Sequence, residues 1–554
     1  MSNSLTFQNK LNNLCHSVSS EISIQDIPDF PVCSASMKHP LLNNVQFSAA
    51  GFTEDSALLH LLEKFALSLY FRSFDRQYYL GCAELPFFIN PQERFIQQED
   101  SNLLFDDYLN QIYQLTEHSF DAFTDFMTGD DRGVLSLPFR RSDNTEILLP
   151  SCWIQAVFRN SGEGIGSDQE TARQDALKKI LAQSVLVNLL TCPHPLPRLT
   201  LPSALIDNLQ KMKLQNTGKD RLFLFDATFN GRFPSILAVL SDQSKGRIRI
   251  ACSCGNNLQE AMENAIVSVF EKQNFHRITE EYSKLGSEEN ILAVCEDGEG
   301  YLPVDLFASP LPENISETIN FPEIESSNDY LLIIQKCLKE NNITDFNYYE
   351  WTSEYEGVFF SKILIPGYSE ISDPALFESQ TPGVFSIYRD YVADIAREDD
   401  PYAIQDFWDS LAENDVNIKT PVSKILGLVT EDPLWRSLTL QDLQFMIFLK
   451  IGNFDEAWDV LNNILSDSGN PEYKQVLFQC CRDLMWINHD EDPQDQQRFT
   501  SLLNLLYTPE ILNQSRKILK GSGLLLEKLT SDPWGHTDDH QKYLRNFAKL
   551  HNLF

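Results

Sequence analysis

Basic side chains are scarce in this sequence: 44 lysines and arginines stand against 79 aspartates and glutamates, a formal net charge of −35 over 554 residues. So acidic a surface repels phosphate backbones and anionic bilayers, which argues against nucleic acid or a membrane as partner. Long hydrophobic runs are also missing. No stretch of 18 or more apolar residues occurs, and the opening "MSNSLTFQNKLNNLCHSVSSEISIQ" lacks the basic-then-apolar order of a secretory signal, so the expected location is the cytoplasm. The 11 cysteines form no disulfide framework, as expected in a reducing compartment. Cys252-x-Cys254 and Cys480-Cys481 have no second pair at zinc spacing.

Familiar catalytic signatures are absent too. There is no G-x-x-x-x-G-K-[ST], no H-E-x-x-H and no G-x-S-x-G. Gly162-x-Gly164-x-Gly166 lacks the third-glycine spacing of a dinucleotide fingerprint, and no acid between Asp175 and Asp207 could take a ribose hydroxyl. His536 and His540 stand four apart in a polar segment that reads as solvated surface.

What is present is a fold pattern. "SCWIQAVFRN", "DRLFLFDATF", "FPSILAVLSD", "GRIRIACSC" and "GVFFSKILIPG" read as short strands ended by Gly, Asn, Asp or Pro, with amphipathic helical stretches between them. The expected class is α+β (α/β) over residues 45–398, after an N-terminal extension of 1–44. Beyond "IAREDDPYAIQ" the pattern turns all-α. "LQDLQFMIFLKIGNFDEAWDVLNNIL" predicts a helical hairpin broken at Gly-Asn, and its Gly-x-Phe-x-x-Ala turn is like that of tetratricopeptide repeats, giving a helical, TPR-like domain over 399–554.

One unit recurs three times: "GFTEDSALLHLLEKFALS" (51–68), "GSDQETARQDALKKILAQ" (166–183) and "GNNLQEAMENAIVSVFEKQ" (255–273). In each, glycine (51, 166, 255) precedes alanine (57, 172, 261) by six, and an apolar residue (Leu62, Leu177, Ile266) follows five later. Thr, Ser, Asp or Asn after the glycine can cap a helix, and glycine permits a sharp entry. Three ordinary capped helices on a sheet would satisfy the pattern as well.

With "DDRGVLSLPFRRSDNTEILLPSCW" (130–153) and "ILIPGYSEI" (363–371), these helices closely resemble the YcaO family, in particular its long subtype with a helical C-terminal domain, the accessory factor type for ribosomal-protein methylthiolation. The resemblance implies a homodimer, and a Mg-ATP pocket formed by the three helices that activates a peptide amide oxygen by phosphorylation. It also implies charged residues at fixed offsets from the alanine: Glu at +7, Glu-Arg at +10 and +11 in the first two helices, and Arg at +3 with Gln and Arg later in the third. Offsets +3, +7 and +10 share one helical face, so three helices can converge on a cavity.

This sequence departs from that pattern almost throughout. The first helix has His60, Lys64, Leu67 and Ser68 at +3, +7, +10 and +11; the second has Lys179, Ala182 and Gln183 at +7, +10 and +11; the third has Asn264, Ser268, Glu271 and Gln273 where Arg, Glu, Gln and Arg are implied. A lysine about 4 Å from Mg²⁺ is repelled by roughly 8 kcal/mol at an effective dielectric near 20, and without arginine the bidentate phosphate clamp is lost. The expectation is a degenerate YcaO-like protein with no catalytic residues, no metal and no cofactor, where active members use ATP and Mg²⁺. It would act by binding a protein partner, a modification enzyme or a ribosomal protein. The alternative is an active ATP-dependent amide-activating enzyme, a cyclodehydratase or thioamidation type, whose acids have relocated to Glu54, Glu63, Glu163, Asp175, Glu260, Glu263 or Glu271, all at other offsets. Two lysines from separate helices could also hold an anion without metal. Arg132, Arg140 and Arg141 read as surface ion-pairing residues.

Overall fold

The computed structural model describes residues 7–12, 22–27, 32–38, 46–71, 92, 94–97, 100, 103–113, 133–199, 220–229, 231–242, 246–272, 274–296, 298–307, 312–313, 324–340, 343, 345–372, 388, 391–413, 416–426, 437–466, 471–489, 493–523, 526–527, 529 and 538. The chain forms two compact units, one built from residues up to 377 and one chiefly from 378–554.

In chain order, the first unit contains β1 (Ile22–Asp26), β2 (Cys33–Lys38), β3 (Gln46–Gly51), α1 (Glu54–Phe71), β4 (Arg94–Gln97), β5 (Gly133–Arg141), β6 (Glu146–Pro150), α2 (Ser151–Val157), β7 (Glu163–Gly166) and α3 (Gln169–Thr191). It continues with β8 (Arg198–Leu199), β9 (Asp220–Asp226), β10 (Ser235–Asp242), β11 (Arg247–Cys254), α4 (Leu258–Glu271), β12 (Arg277–Thr279), β13 (Tyr301–Pro303), β14 (Pro312–Glu313), α5 (Ser327–Glu340), β15 (Tyr349–Tyr355) and β16 (Val358–Leu364). The principal sheets run β1-β2-β3, β11-β10-β9-β8-β14 and β4-β5-β15-β16-β7, the last with β6 paired to β5. Their long pairings are antiparallel. The class is therefore α+β, as expected.

The three recurring units are real and alike. Each begins at the edge strand of a different sheet, β3, β7 or β11, and runs into α1, α3 or α4. Two residues past each glycine a side chain caps the helix: Thr53 accepts from the Ser56 N–H, Asp168 from Thr171 and Asn257 from Glu260. Ala57, Ala172 and Ala261 are completely buried, as are Leu62, Leu177 and Ile266. The glycines, however, do not supply a left-handed turn, because none of Gly51, Gly166 and Gly255 has positive φ. They are there for close approach. A Cβ on each would stand 2.3, 2.5 and 2.5 Å from the backbone nitrogen of the alanine six residues on.

"SCWIQAVFRN" is not a strand. It forms α2, with Trp153, Ile154, Val157 and Phe158 buried, a spacing of one helical face rather than alternation. The strand at Gly164 and Gly166 is β7 itself. α3 is buried along most of its length, packing Ala176, Leu177, Ile180 and Leu181 into one core with Tyr330 and Ile334 of α5, Leu237 and Val239 of β10, and Ile363 of β16. That explains why its sequence is apolar on more than one side.

The second unit contains α6 (Pro401–Glu413), α7 (Leu440–Lys450), α8 (Phe454–Ser466), α9 (Glu472–His489), α10 (Pro493–Leu506) and α11 (Pro509–Leu519). α7 and α8 form the expected hairpin. Gly452 takes φ +76 after α7, and the Asn453 N–H bonds back to the Phe448 carbonyl at 2.8 Å. No helix among the described residues is long and apolar enough to cross a membrane.

Candidate functional site

α1, α3 and α4 do converge, on a cavity of about 540 Å³. Each helix presents the same offsets from its buried alanine. α1 contributes His60, Glu63, Lys64, Leu67 and Ser68; α3 contributes Asp175, Lys178, Lys179 and Ala182; α4 contributes Asn264, Val267, Ser268 and Glu271. β7 adds Glu163 and Ile165, and β11 adds Cys252, Ser253 and Cys254. Of the positions singled out in the sequence, His60, Lys64, Lys179, Asn264 and Ser268 therefore line the hollow. Gln183 is not among the lining residues, and Gln273 lies outside the described residues.

The carboxylates require a correction. Glu63, Glu163, Asp175 and Glu271 also reach the cavity, Asp175 at +3 and Glu271 at +10 on the shared face itself, whereas Glu54, Glu260 and Glu263 are not among its lining. Glu63 and Lys178 sit at +6. At about 100° per residue, +3, +6, +7 and +10 fall within one arc of roughly 100°, so +6 was available to the same reasoning that chose +7. Glu163 was not legible that way. It faces Lys362 directly across the β7–β16 pairing, a register that joins residues 199 apart.

Most of these charges are spoken for. Lys179 Nζ lies 2.8 Å from Asp175 Oδ2 and donates to the Glu163 carbonyl at 2.9 Å. Asp175 Oδ2 also accepts the Ile165 N–H at 3.1 Å. Lys178 bridges α3 to α4 through Glu260 at 2.6 Å, and Lys64 bridges α1 to α4 through Glu271 at 3.8 Å while donating to the Ser48 carbonyl at 3.0 Å. Glu271 accepts the Ala50 N–H at 3.2 Å, and His60 Nδ1 is 2.8 Å from the Ala50 carbonyl, so that nitrogen carries a proton. Lys362 and Glu163 form a buried pair, 3.2 Å apart with side chains 4% and 9% exposed. The described arginines stay away. Arg141 pairs with Asp106 and Asp143. Arg140 is not among the cavity's lining residues. Arg132, like His536 and His540, lies outside the described residues.

Burial lowers the Lys179 ammonium, but Asp175, then Glu63 and Glu163, raise it by more, so it stays charged. Glu63 is held the other way. Burial, then Asp175, push its carboxyl up to about 7, with His60 and Lys179 opposing and Glu271 adding. Burial also lifts the Cys252 and Cys254 thiols far above their ordinary range, so this close pair offers neither a nucleophile nor a thiolate ligand.

Glu63 carries a pH prediction. Its folded pKa lies above the ordinary 4.5, so its stabilising contribution is complete at low pH and is lost as pH rises from about 4.5 through about 7. Glu63→Gln removes that slope. The variant should gain about 1–3 kcal/mol on the parent between pH 5 and pH 8, read from urea midpoints. A parent and variant that stay parallel across this range would show that the carboxyl is not held neutral.

Comparison with known proteins gives three kinds of likeness. The family description "YcaO cyclodehydratase, ATP- and Mg²⁺-binding" matches residues 53–369, and "YcaO cyclodehydratase C-terminal domain" matches 386–553. An uncharacterized protein of Haemophilus influenzae is 23% identical, over 98% of this chain and 95% of its own length. The Escherichia coli protein named ribosomal protein S12 methylthiotransferase accessory factor YcaO is 22% identical over the same shares. Among solved structures, a heterocyclase in complex with substrate and cofactor matches with TM-score 0.42 and 12% identity, over 65% of this chain and 52% of that one, so the chain spans about half of it. YcaO from Methanopyrus kandleri bound with AMPPCP and Mg²⁺ matches with TM-score 0.37 and 10% identity, over 68% of this chain and 93% of that one.

Proposed function

Because the chain belongs to the YcaO family, we propose that it keeps the three-helix hollow without the family's Mg-nucleotide chemistry and works as an accessory protein that binds a partner in peptide or ribosomal-protein modification. A close comparison of donors supports this. Mg²⁺ takes near-octahedral oxygen ligands at about 2.0–2.1 Å beside the phosphates. Here Asp175 is held by Lys179, Glu163 by Lys362 and Glu271 by the Ala50 N–H with Lys64 near, while burial favours the neutral form of Glu63. Among the described residues no group of three or more His, Cys, Asp or Glu is gathered closely enough to hold a metal ion. The described lining supplies lysines but no arginine for a phosphate clamp. The donor set does not fit the Mg-nucleotide.

The observation that carries the reading is the pair of ammonium groups at the equivalent +7 positions, Lys64 and Lys179, each tied to a carboxylate of the same hollow. A cavity whose charges neutralise one another needs no cation. The accessory-factor name of the Escherichia coli relative agrees with a helper's role. The four acids that do reach the hollow favour the second reading, an ATP-dependent amide-activating enzyme with relocated carboxylates.

Calorimetric titration separates the two. ATP with Mg²⁺, and ATP with EDTA, are both expected to give no saturable heat at up to about millimolar nucleotide. Metal-dependent binding with ADP release on a peptide substrate would restore the enzyme. Binding without metal would instead assign a lysine-lined anion site.

A further inference from the structure

The second unit carries a groove that the nucleotide question leaves untouched. α8, α9 and α10 enclose a cavity of about 370 Å³, lined chiefly by Trp458, Trp486, Ile487, Phe499, Leu502 and Leu506. Its floor belongs to a small satellite core in which Ile487 and Leu503 are buried. Its rim is open, with Trp486 53% and Leu506 60% exposed. The walls are preformed. Trp486 and Phe499 meet edge to face with centroids 4.9 Å apart, and the Tyr507 hydroxyl donates to Asp483 at 2.6 Å, pinning the turn of α9 that faces the groove. A rigid aromatic and leucine-lined trough between helices suits an amphipathic helix, whose i, i+3 and i+4 side chains enter it without first reshaping it.

Charge decides which kind of helix. α8, which supplies Trp458, exposes Asp455, Glu456 and Asp459 and contains no lysine or arginine. Asp455 lies one turn before Trp458 on the same helical face, and Asp459 lies one turn after Asp455, so the two acids form an exposed row beside the tryptophan. Arg482, the basic residue of the lining, is followed immediately by Asp483. An acidic helix or an anionic bilayer would meet like charge at this wall; a cationic one gains steering and register from it. The geometry points to a docking groove for an amphipathic helix of a partner protein, one whose apolar stripe is flanked by lysine or arginine. The inference rests on the partner-binding role proposed above but uses residues of the other unit, so either can fail alone.

The test uses the full-length chain and three labelled synthetic helices of about 18 residues: a leucine and phenylalanine stripe flanked by lysine and arginine, the same stripe flanked by glutamate, and a scrambled basic control. Fluorescence anisotropy is expected to give saturable binding of the basic helix at least about tenfold tighter than of the other two, weakening with salt. Leu506→Glu, at an exposed position, should reduce that affinity about tenfold or more with the melting curve unchanged. Asp455→Lys with Asp459→Lys should abolish the preference for the basic helix. Equal affinity for basic and acidic helices, absence of saturable binding, or binding indifferent to Leu506→Glu overturns the proposal. A concentration-dependent dimer that Leu506→Glu dissolves overturns it in favour of a second copy of the chain. Repeating the titration with Mg-ATP keeps the readings apart: nucleotide binding that leaves helix affinity unchanged defeats the proposed loss of nucleotide chemistry and spares the groove.

Discussion

Lys474→Ala is expected to destabilise the pairing of α7 with α9 by about 3–5 kcal/mol, the cost of leaving one buried charge without its partner. Lys474 Nζ lies 2.6 Å from Asp442 Oδ2, with the two side chains 2% and 0% exposed. The ammonium also donates to the Ser437 carbonyl at 2.9 Å. Asp442 in turn accepts the Thr439 N–H at 2.6 Å and the Thr439 hydroxyl at 2.9 Å, closing the capping box that starts α7. Burial raises the Asp442 carboxyl, and Lys474 and then Thr439 only partly pull it back. With a raised folded pKa, the stability linked to this group is present at low pH and is lost as pH rises through that pKa. Without Lys474 the upward shift grows. The penalty should therefore be larger at pH 8 than at pH 5, and amide exchange across 440–450 and 472–489 should speed up by about two to four orders of magnitude near neutral pH. Combining Lys474→Met with Asp442→Asn should recover most of the loss, because asparagine keeps a capping oxygen and removes the charge. A penalty below about 1 kcal/mol, or one independent of pH, would mean that something other than the stranded carboxylate sets the effect.

What the sequence disclosed about the site follows from which interactions are local. Gly51, Thr53, Ala57 and Leu62 lie within three helical turns, and so do their counterparts, so the cap, the close approach and the buried seam could all be read as spacing. Helical geometry then put His60, Lys64, Lys179, Asn264 and Ser268 on faces that meet. Partners brought from far along the chain could not be read. Lys362 reaches Glu163 only through the β7–β16 register, and Glu271 reaches the Ala50 N–H across 221 residues. Asp175 is local, four residues before Lys179, so that pair was legible as spacing. The ties made through sheet register were not, and a face that looked stripped of carboxylates is in fact balanced by Asp175 and Glu271 on the face itself and by Glu163 from a strand. The misread α2 has a similar root. In "SCWIQAVF" a tight cluster of apolar residues fits a short buried strand and a short buried helix equally, and only its packing, with Trp153 and Phe158 enclosed together, selects the helix.

Alanine at Gly166 should cost about 3 kcal/mol or more, and alanine at Gly286 should be neutral or stabilising by up to about 1 kcal/mol, although both add one methyl group to one chain. At Gly166 the new carbon would stand 2.5 Å from the Ala172 nitrogen and 2.7 Å from Thr171 Cβ, and backbone cannot rotate out of the way as a side chain can. The first turn of α3 must lift from β7 or the strand must shift, and either movement displaces Asp175, one turn further on, from Lys179 and the Ile165 N–H. Gly286 has φ −84 and nothing within 4 Å of the added carbon, so alanine there only restricts the unfolded chain. The threefold construction supplies its own control. Gly51→Ala and Gly255→Ala meet the nitrogens of Ala57 and Ala261 at 2.3 and 2.5 Å, so urea midpoints of all three variants should fall together, with Gly286→Ala beside the parent. Should Gly166→Ala prove as benign as Gly286→Ala, the close strand–helix approach is not what aims the three helices, and the shared offsets of the hollow would need a different cause.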